Sequence, residues 1–189
     1  MYIDETIYKG RPEDVSGRDE NEVRCYDFLD GLGVAYERID HEPANNMEAC
    51  RQVKSRFGLD VCKNLFLSTR NGKKLYLVVM PGEKQFRTSV VSKLIGTSRL
   101  SFGPEDRMYE FLGVKPGSAS ILGLMFDSEK KVQLVVDKSI LEDEFFGCHP
   151  CKNTSSLKIS MGDMKEKVIP ALDHDMLVID IPDQRFEEE

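Results

Sequence analysis

The sequence has 189 residues, of which 40% are hydrophobic and 31% charged, and its net charge is −7. This length suits one compact domain, and no apolar run approaches the roughly 20 residues that a membrane-spanning helix needs. An acidic chain is unsuited to covering long stretches of DNA or RNA, so any contact with nucleic acid must be local. Since the charged N-terminus also lacks the apolar core of a secretory signal, we expect a cytoplasmic protein.

The first half of the chain alternates helical and strand patterns behind a polar start. Residues 1–18 are polar and rich in turn residues, which predicts an arm ahead of the folded domain. The spacing of apolar residues predicts helices over 19–32 and 46–57 and strands over 34–39, 62–68 and 75–80. The turn at Asn71-Gly72 lies between the last two strands and predicts a β-hairpin.

The second half continues the mixture of short helices and strands. The patterns predict helices over 87–95, 104–112 and 163–171 and strands over 100–102, 119–124, 132–136, 156–159 and 176–181. The prediction is therefore an α+β (mixed α/β) fold, with one domain over 19–182 and a mainly antiparallel central sheet flanked by helices. The remaining residues, 183–189, are expected to form an acidic tail.

Three separated segments carry motifs that are informative mainly in combination. They are Cys62-Lys63-Asn64-Leu65-Phe66-Leu67, Leu112-Gly113-Val114-Lys115-Pro116-Gly117-Ser118-Ala119-Ser120 and His149-Pro150-Cys151-Lys152-Asn153-Thr154. In this order and spacing they resemble the Lys-Asn-Leu-Phe strand, the glycine-containing loop and the His-Pro-x-x-Asn-Thr stretch of the YbaK and prolyl-tRNA synthetase editing-domain family. The sub-group that the chain resembles most is that of free-standing deacylases that remove alanine from proline tRNA.

The resemblance implies an activity, a substrate and a set of site residues. The activity is hydrolysis of the ester of a mischarged small amino acid, foremost alanine, at the acceptor end of proline tRNA. The implied catalytic residues are Lys63, Gly117 and His149, and the implied substrate-binding residues are Asn64, Ser118, Ala119, Ser120, Ile121, Asn153 and Thr154. Prolyl-tRNA synthetase is a candidate partner, whereas DNA, a membrane, a cofactor and a metal are not implied.

The chemistry of the residues is compatible with this activity and also with structural roles. Backbone amides of a loop at Gly117 can donate to the oxyanion that forms during ester hydrolysis, although the same residues also suit a plain tight turn. Lys63 can pair with a phosphate or the ribose end of tRNA, or can be an edge-strand lysine that faces water. His149 can orient water or contact the substrate, or can be structural. The resemblance favours the functional interpretation of all three.

One position departs from the family pattern. The family loop commonly reads Gly-x-x-x-Pro, but Ile121 takes the place of the proline. Because proline fixes φ near −65°, its replacement predicts a looser or reshaped loop. Together with the acidic net charge, this departure supports an alternative: a non-catalytic module of the same fold that binds an amino acid or tRNA and docks on a synthetase or another partner.

The five cysteines include one Cys-x-x-Cys pair, Cys148 and Cys151. Such a pair suggests a zinc site or thiol redox chemistry. A structural zinc site needs two more ligands, and Cys50 and Cys62 do not form a second pair of this kind. A redox pair normally opens a helix, whereas a strand follows here. We therefore expect reduced thiols without a metal.

Overall fold

The computed structural model describes residues 1–44 and 46–183; the predicted acidic tail lies outside the described residues from position 184 onward. The helices are α1 Glu20–Gly31, α2 Met47–Phe57, α3 Thr88–Leu94, α4 Glu105–Leu112, α5 Met161–Asp163 and α6 Ile169–Leu172. The strands are β1 Tyr8–Lys9, β2 Tyr36–Asp40, β3 Lys63–Thr69, β4 Leu75–Met80, β5 Leu100–Phe102, β6 Val132–Asp137, β7 Phe145–Cys148, β8 Ser155–Ser160 and β9 Met176–Ile179. Within the described residues, no helix is long and apolar enough to cross a bilayer.

The strands form two sheets. The first has the order β1-β2-β8-β7, and all its neighbouring strands are antiparallel. The second has the order β5-β3-β4-β6-β9, in which β5, β3 and β4 are antiparallel and β4, β6 and β9 are parallel. The predicted α+β class with mainly antiparallel strands is confirmed, and the strands are divided between two sheets where the sequence suggested one central sheet.

Strand β4 forms the centre of the second sheet and is buried on both faces. All six of its side chains are buried, and alternate ones join different core clusters: Leu77 and Val79 pack on one side, Val78 and Met80 on the other. A strand covered on both faces is apolar throughout rather than alternating. This explains the continuous apolar run from which the sequence predicted β4.

The strand predicted over 119–124 is wrong. This stretch instead contains a 3-10 helix, Ile121–Phe126, which begins after Ser120, whose Oγ accepts a hydrogen bond from the Leu122 amide at 3.3 Å. A Cβ on Gly123 would lie 2.9 Å from the Leu112 carbonyl oxygen, so the helical turn packs directly on the backbone at the end of α4. A short buried apolar run fits both a strand and a helical segment, and the sequence pattern could not separate them.

The N-terminal residues contact the first sheet. Strand β1 pairs with β2, and Arg18 forms ion pairs of 2.6 Å with both Glu22 and Asp40. Burial alone would raise the pKa of Asp40, but hydrogen bonds from Arg18, Arg38 and Ser155 lower it to about 2. This carboxylate therefore connects the N-terminal segment to β2 and β8 as a charged group.

Candidate functional site

A cavity of about 610 Å³ opens beside the start of β3. The three residues implied to be catalytic, Lys63, Gly117 and His149, all line this cavity, as do Asn64 and Ala119. Helix α2 and the rim at Gly82, Glu83 and Phe102 supply further parts of its wall. The fold therefore brings residues from three distant segments of the chain to one space.

Close backbone packing places the start of β3 next to the end of β7. The Cys62 amide donates to the Gly147 carbonyl at 3.0 Å, and a Cβ on Gly147 would lie only 2.5 Å from the Asp60 carbonyl oxygen. A side chain at position 147 would therefore push the two segments apart. Because Gly147 lies two residues before His149 and Cys62 one residue before Lys63, this contact sets the distance between the two candidate catalytic side chains.

Lys63 is held in a partly buried position on β3. It lies opposite Met80 of β4, and its Nζ donates to the Lys84 carbonyl at 2.8 Å. An ammonium group has three protons, so this bond leaves two for a ligand. Burial lowers the pKa of Lys63, which reflects the cost of placing a charge where little water surrounds it.

The carbonyl that binds Lys63 is itself fixed by a buried ion pair. Lys84 Nζ lies 3.1 and 2.9 Å from the two carboxylate oxygens of Asp137 and 2.8 Å from the Ile181 carbonyl. Asp137 is 0% exposed. A buried charge of this kind is stable only with a partner, so the loop that carries Lys84 is firmly attached to the end of β6.

His149 presents one nitrogen as a hydrogen-bond acceptor. Its Nδ1 lies 2.9 Å from the Ser155 carbonyl, and since a carbonyl only accepts, Nδ1 carries the proton and Nε2 has the free lone pair. Burial, together with the nearby ring of His41, lowers the pKa of His149 to about 4. The imidazole is therefore neutral at pH 7.

His41 and Ser156 belong to the same site and were missed from the sequence. His41 Nδ1 lies 2.8 Å from the Glu42 carbonyl, and its Nε2 lies 2.9 Å from Ser156 Oγ, which lines the cavity. The rings of His41 and His149 lie edge to face, 6.2 Å apart, and burial lowers the pKa of His41 as well. Two neutral imidazoles thus lie together at one wall of the cavity, with His149 in the lining.

The glycine loop has a backbone suited to binding an oxyanion. Gly117 has φ of +86°, a conformation that side chains disfavour, and the Ser118 amide donates to the Lys115 carbonyl at 3.0 Å. Among the described residues, the amides of Gly117 and Ala119 have no hydrogen-bond acceptor. Both residues line the cavity, so their N–H groups are available to a ligand.

Ser120 connects the glycine loop to His149. Its Oγ donates to the His149 carbonyl at 2.5 Å, and its side chain is 0% exposed. A buried hydroxyl with a satisfied partner fixes both segments. The loop and the imidazole are therefore positioned relative to each other by a direct bond.

Five of the implied substrate-binding residues lie behind the cavity wall. Within the described part of the chain, the lining does not include Ser118, Ser120, Ile121, Asn153 and Thr154. Ile121 is 1% exposed and packs in the main core cluster. The carbonyls of Asn153 and Thr154 accept from the amides of Ala44 and His41 at 3.3 and 2.9 Å. These residues support the site through the core and the backbone.

Asn64 supplies a free acceptor. Its Nδ2 donates to the Cys62 carbonyl at 3.0 Å, but its buried Oδ1 has no donor among the described residues. Buried side-chain oxygens nearly always have a partner, so this one is an unused acceptor. Asn64 lines the cavity as a residue, whereas His149 Nε2 is the neutral acceptor there with a free lone pair.

All five cysteines are free thiols. Cys25, Cys148 and Cys151 pack in the main core cluster, and burial raises the pKa of Cys25 and Cys148 well above the usual range. Burial also raises the pKa of Cys62 to about 12. Thiols in this state are weak nucleophiles and behave as small apolar side chains. In the described residues, no three His, Cys, Asp or Glu side chains are placed to hold a metal ion.

A known domain family and known proteins match most of this chain in sequence. Residues 41–167 match the family described as the aminoacyl-tRNA editing domain. The chain is 30% identical over 143 residues to the prolyl-tRNA editing protein ProX of Acetoanaerobium sticklandii, covering 76% of this chain and 87% of that protein. It is 31% identical over 134 residues to the prolyl-tRNA synthetase associated domain-containing protein 1 of Xenopus laevis, covering 69% and 79%.

Solved structures share the fold. A crystal structure described as a candidate trans-editing enzyme for prolyl tRNA synthetase matches with a TM-score of 0.64 at 10% identity, covering 87% of this chain and 99% of that one. The hypothetical protein APE2540 matches with a TM-score of 0.62 at 16% identity, covering 84% and 98%. The resemblance drawn from the three segments is thereby confirmed, and the chain belongs to the aminoacyl-tRNA editing domain family.

Proposed function

We propose that this protein is a trans-editing deacylase that hydrolyses the ester of a small, wrongly attached amino acid on proline tRNA, with alanine as its main substrate. The observation that carries the proposal is the single cavity that contains a cation (Lys63), a loop of free amides (Gly117 and Ala119) and a neutral imidazole (His149). The name of the ProX relative, a prolyl-tRNA editing protein, supports the choice of tRNA.

In the proposed reaction, a water oxygen attacks the ester carbonyl carbon and the bond to the ribose oxygen breaks. The amides of Gly117 and Ala119 donate to the oxyanion that develops, an interaction that reaches about 3–4 kcal/mol per donor in other hydrolases. The ribose oxygen leaves with a proton that derives from water. Lys63 holds the phosphate or ribose end of the tRNA with the two protons that Lys84 does not use.

The amino-acid end of the substrate carries an ammonium group, which requires hydrogen-bond acceptors. His149 Nε2 supplies such an acceptor, since His149 lines the cavity and this nitrogen has a free lone pair. A protonated His149 would repel the ammonium. The low pKa of His149 therefore serves substrate binding rather than general-base catalysis.

The test is a panel of tRNAs charged with alanine, serine, cysteine or proline and incubated with catalytic amounts of the protein. We expect release of alanine from proline tRNA with multiple turnovers, and no release of proline, because an editing site can reject an amino acid larger than its substrate by steric clash. Measurable binding of tRNA or amino acid without any turnover would support the alternative, a non-catalytic module of the same fold.

The pH dependence of deacylation tests the role of His149. Since its folded-state pKa is about 4, the Nε2 lone pair is present above this value and is lost as the pH falls through it. We expect kcat/KM to stay nearly constant from pH 7 to pH 5 and to fall towards pH 4, in a series of initial rates on proline tRNA charged with alanine. An acidic limb centred near the ordinary value of 6.5 would contradict this assignment. A His149→Gln variant, which cannot titrate, is expected to lack the limb.

A further inference from the structure

An exposed aromatic side chain lies on the rim of the cavity. Phe102 ends β5, is 64% exposed and lines the cavity. Exposing a phenyl ring to water is unfavourable because of the hydrophobic effect. Single exposed rings are nevertheless common on protein surfaces, so exposure by itself does not indicate a binding site. Phe102 lines the cavity and belongs to the strand that pairs with β3, which begins at Lys63, and this position suggests a ligand.

The ring of Phe102 is held in a fixed position. Its backbone pairs with Leu67 of β3, and the next residue, Gly103, donates from its amide to the Phe66 carbonyl at 2.9 Å. The ring of Phe86 supports it from one side, with centroids 5.9 Å apart and planes inclined by 56°. Phe86 in turn packs on the buried core cluster on that face of the sheet. The supported ring is thus a preorganised surface.

The chemistry of the proposed substrate indicates what this surface binds. The aminoacyl ester joins the amino acid to the ribose of the last nucleotide, and the base of that nucleotide is attached to the same ribose. When Lys63 and the glycine loop hold the ester end, the base must lie within one sugar of the cavity mouth. Single-stranded bases bind proteins mainly by stacking on aromatic rings.

We propose that Phe102, supported by Phe86, is the stacking platform for the 3′-terminal base of the tRNA. The proposal rests on the proposed function, because that function places the ribose at the cavity. Phe102 is a substrate-positioning residue in this scheme and takes no part in bond breaking. Removing it weakens binding and leaves the chemical step of bound substrate unchanged.

The experiment measures binding of an RNA minihelix that carries alanine through an amide in place of the ester, so that no hydrolysis is needed. Two forms are compared, one with a terminal adenine and one with an abasic terminal ribose. For Phe102→Ala we expect Kd to rise about 10- to 100-fold with the adenine form, the range that loss of one stacked base produces. With the abasic form, wild type and variant are expected to bind equally. Phe102→Trp should restore binding of the adenine form.

Tyr109→Ala is the matched control. Tyr109 lies on the exposed face of α4, is 61% exposed, and is not among the cavity-lining residues of the described chain, so its loss is expected to leave Kd unchanged. Equal binding of the adenine form by wild type and Phe102→Ala would overturn the proposal. An equal rise in Kd for the adenine and abasic forms would also overturn the proposal, because it would indicate that Phe102 has a structural role. A wild-type protein that binds both forms but does not hydrolyse proline tRNA charged with alanine would refute the proposed function. The difference in Kd between wild type and Phe102→Ala would still stand.

Discussion

Replacing Lys63 with alanine is expected to lower kcat/KM for deacylation about 10- to 150-fold, because the site loses the ammonium assigned to the phosphate or ribose end of the tRNA, and a hydrogen bond to a charged group contributes about 1.5–3 kcal/mol. Lys63 Nζ is fixed by the Lys84 carbonyl at 2.8 Å and lines the cavity. The variant loses this single hydrogen bond, which costs about 1 kcal/mol of folding stability. The effect on activity should therefore exceed the effect on folding, when initial rates on proline tRNA charged with alanine are compared with urea denaturation.

Two further variants separate the charge of Lys63 from its shape. Lys63→Arg keeps the positive charge but replaces the compact ammonium with a planar guanidinium group, so it is expected to keep only part of the wild-type activity. Lys131→Ala removes an exposed lysine just ahead of β6, and its rate should match that of wild type. A Lys63→Ala variant that turns over as fast as wild type would exclude this lysine from the reaction.

The predictable parts of the fold are those in which local sequence decides the structure. The Asn71-Gly72 turn between two apolar runs predicted the β3–β4 hairpin, and the structure pairs these strands from Lys63 opposite Met80 to Ser68 opposite Leu75. The helices α1 and α2 were predicted from apolar spacing, and both have side-chain caps, at Asp19 and Asn46. Local signals of this kind do not depend on the rest of the chain.

The part of the site that was missed depends on pairing between distant strands. His41 meets Ser156 because β2 and β8 are antiparallel neighbours, with Asp40 opposite Ser155. These strands are more than 100 positions apart, and no local pattern indicates which strands pair. Strand β7 was not predicted either, since its residues were interpreted through the cysteine motif that follows. Lys63, Gly117 and His149 were predicted only because the family resemblance carries this long-range information.

The departure at Ile121 has a structural explanation. Ile121 is the first residue of the 3-10 helix, directly after its cap Ser120, and its side chain is buried in the core. The first helical position is also where proline fits well, because no intrahelical hydrogen bond uses its amide. A proline here would therefore cost no intrahelical hydrogen bond. Ile121 is not among the cavity-lining residues of the described chain, whereas Gly117 and Ala119 of the same loop are.

The largest effect on stability is expected at the ion pair that supports Lys63. In Lys84→Met, the carboxylate of Asp137 keeps its bonds from the Ser139 amide and hydroxyl, at 3.0 and 2.8 Å, but loses its only cation among the described residues. A buried charge left without its partner costs about 3–5 kcal/mol. We expect the free energy of unfolding, measured in urea at pH 7, to fall by this amount with little change in the slope against denaturant.

A second substitution tests whether the unpaired charge is the cause. In Lys84→Met with Asp137→Asn, the amide oxygen can still accept from Ser139 and no charge is buried, so more than half of the lost stability should return. Lys138→Met is the control, because its ion pair with Glu142 is exposed at 4.0 Å and contributes at most about 0.5 kcal/mol. If the double variant were no more stable than Lys84→Met, the lost stability would come from the Lys84 bond to the Ile181 carbonyl or from the packing of Lys84. The ion pair with Asp137 would then not be the interaction that fixes the Lys84 carbonyl.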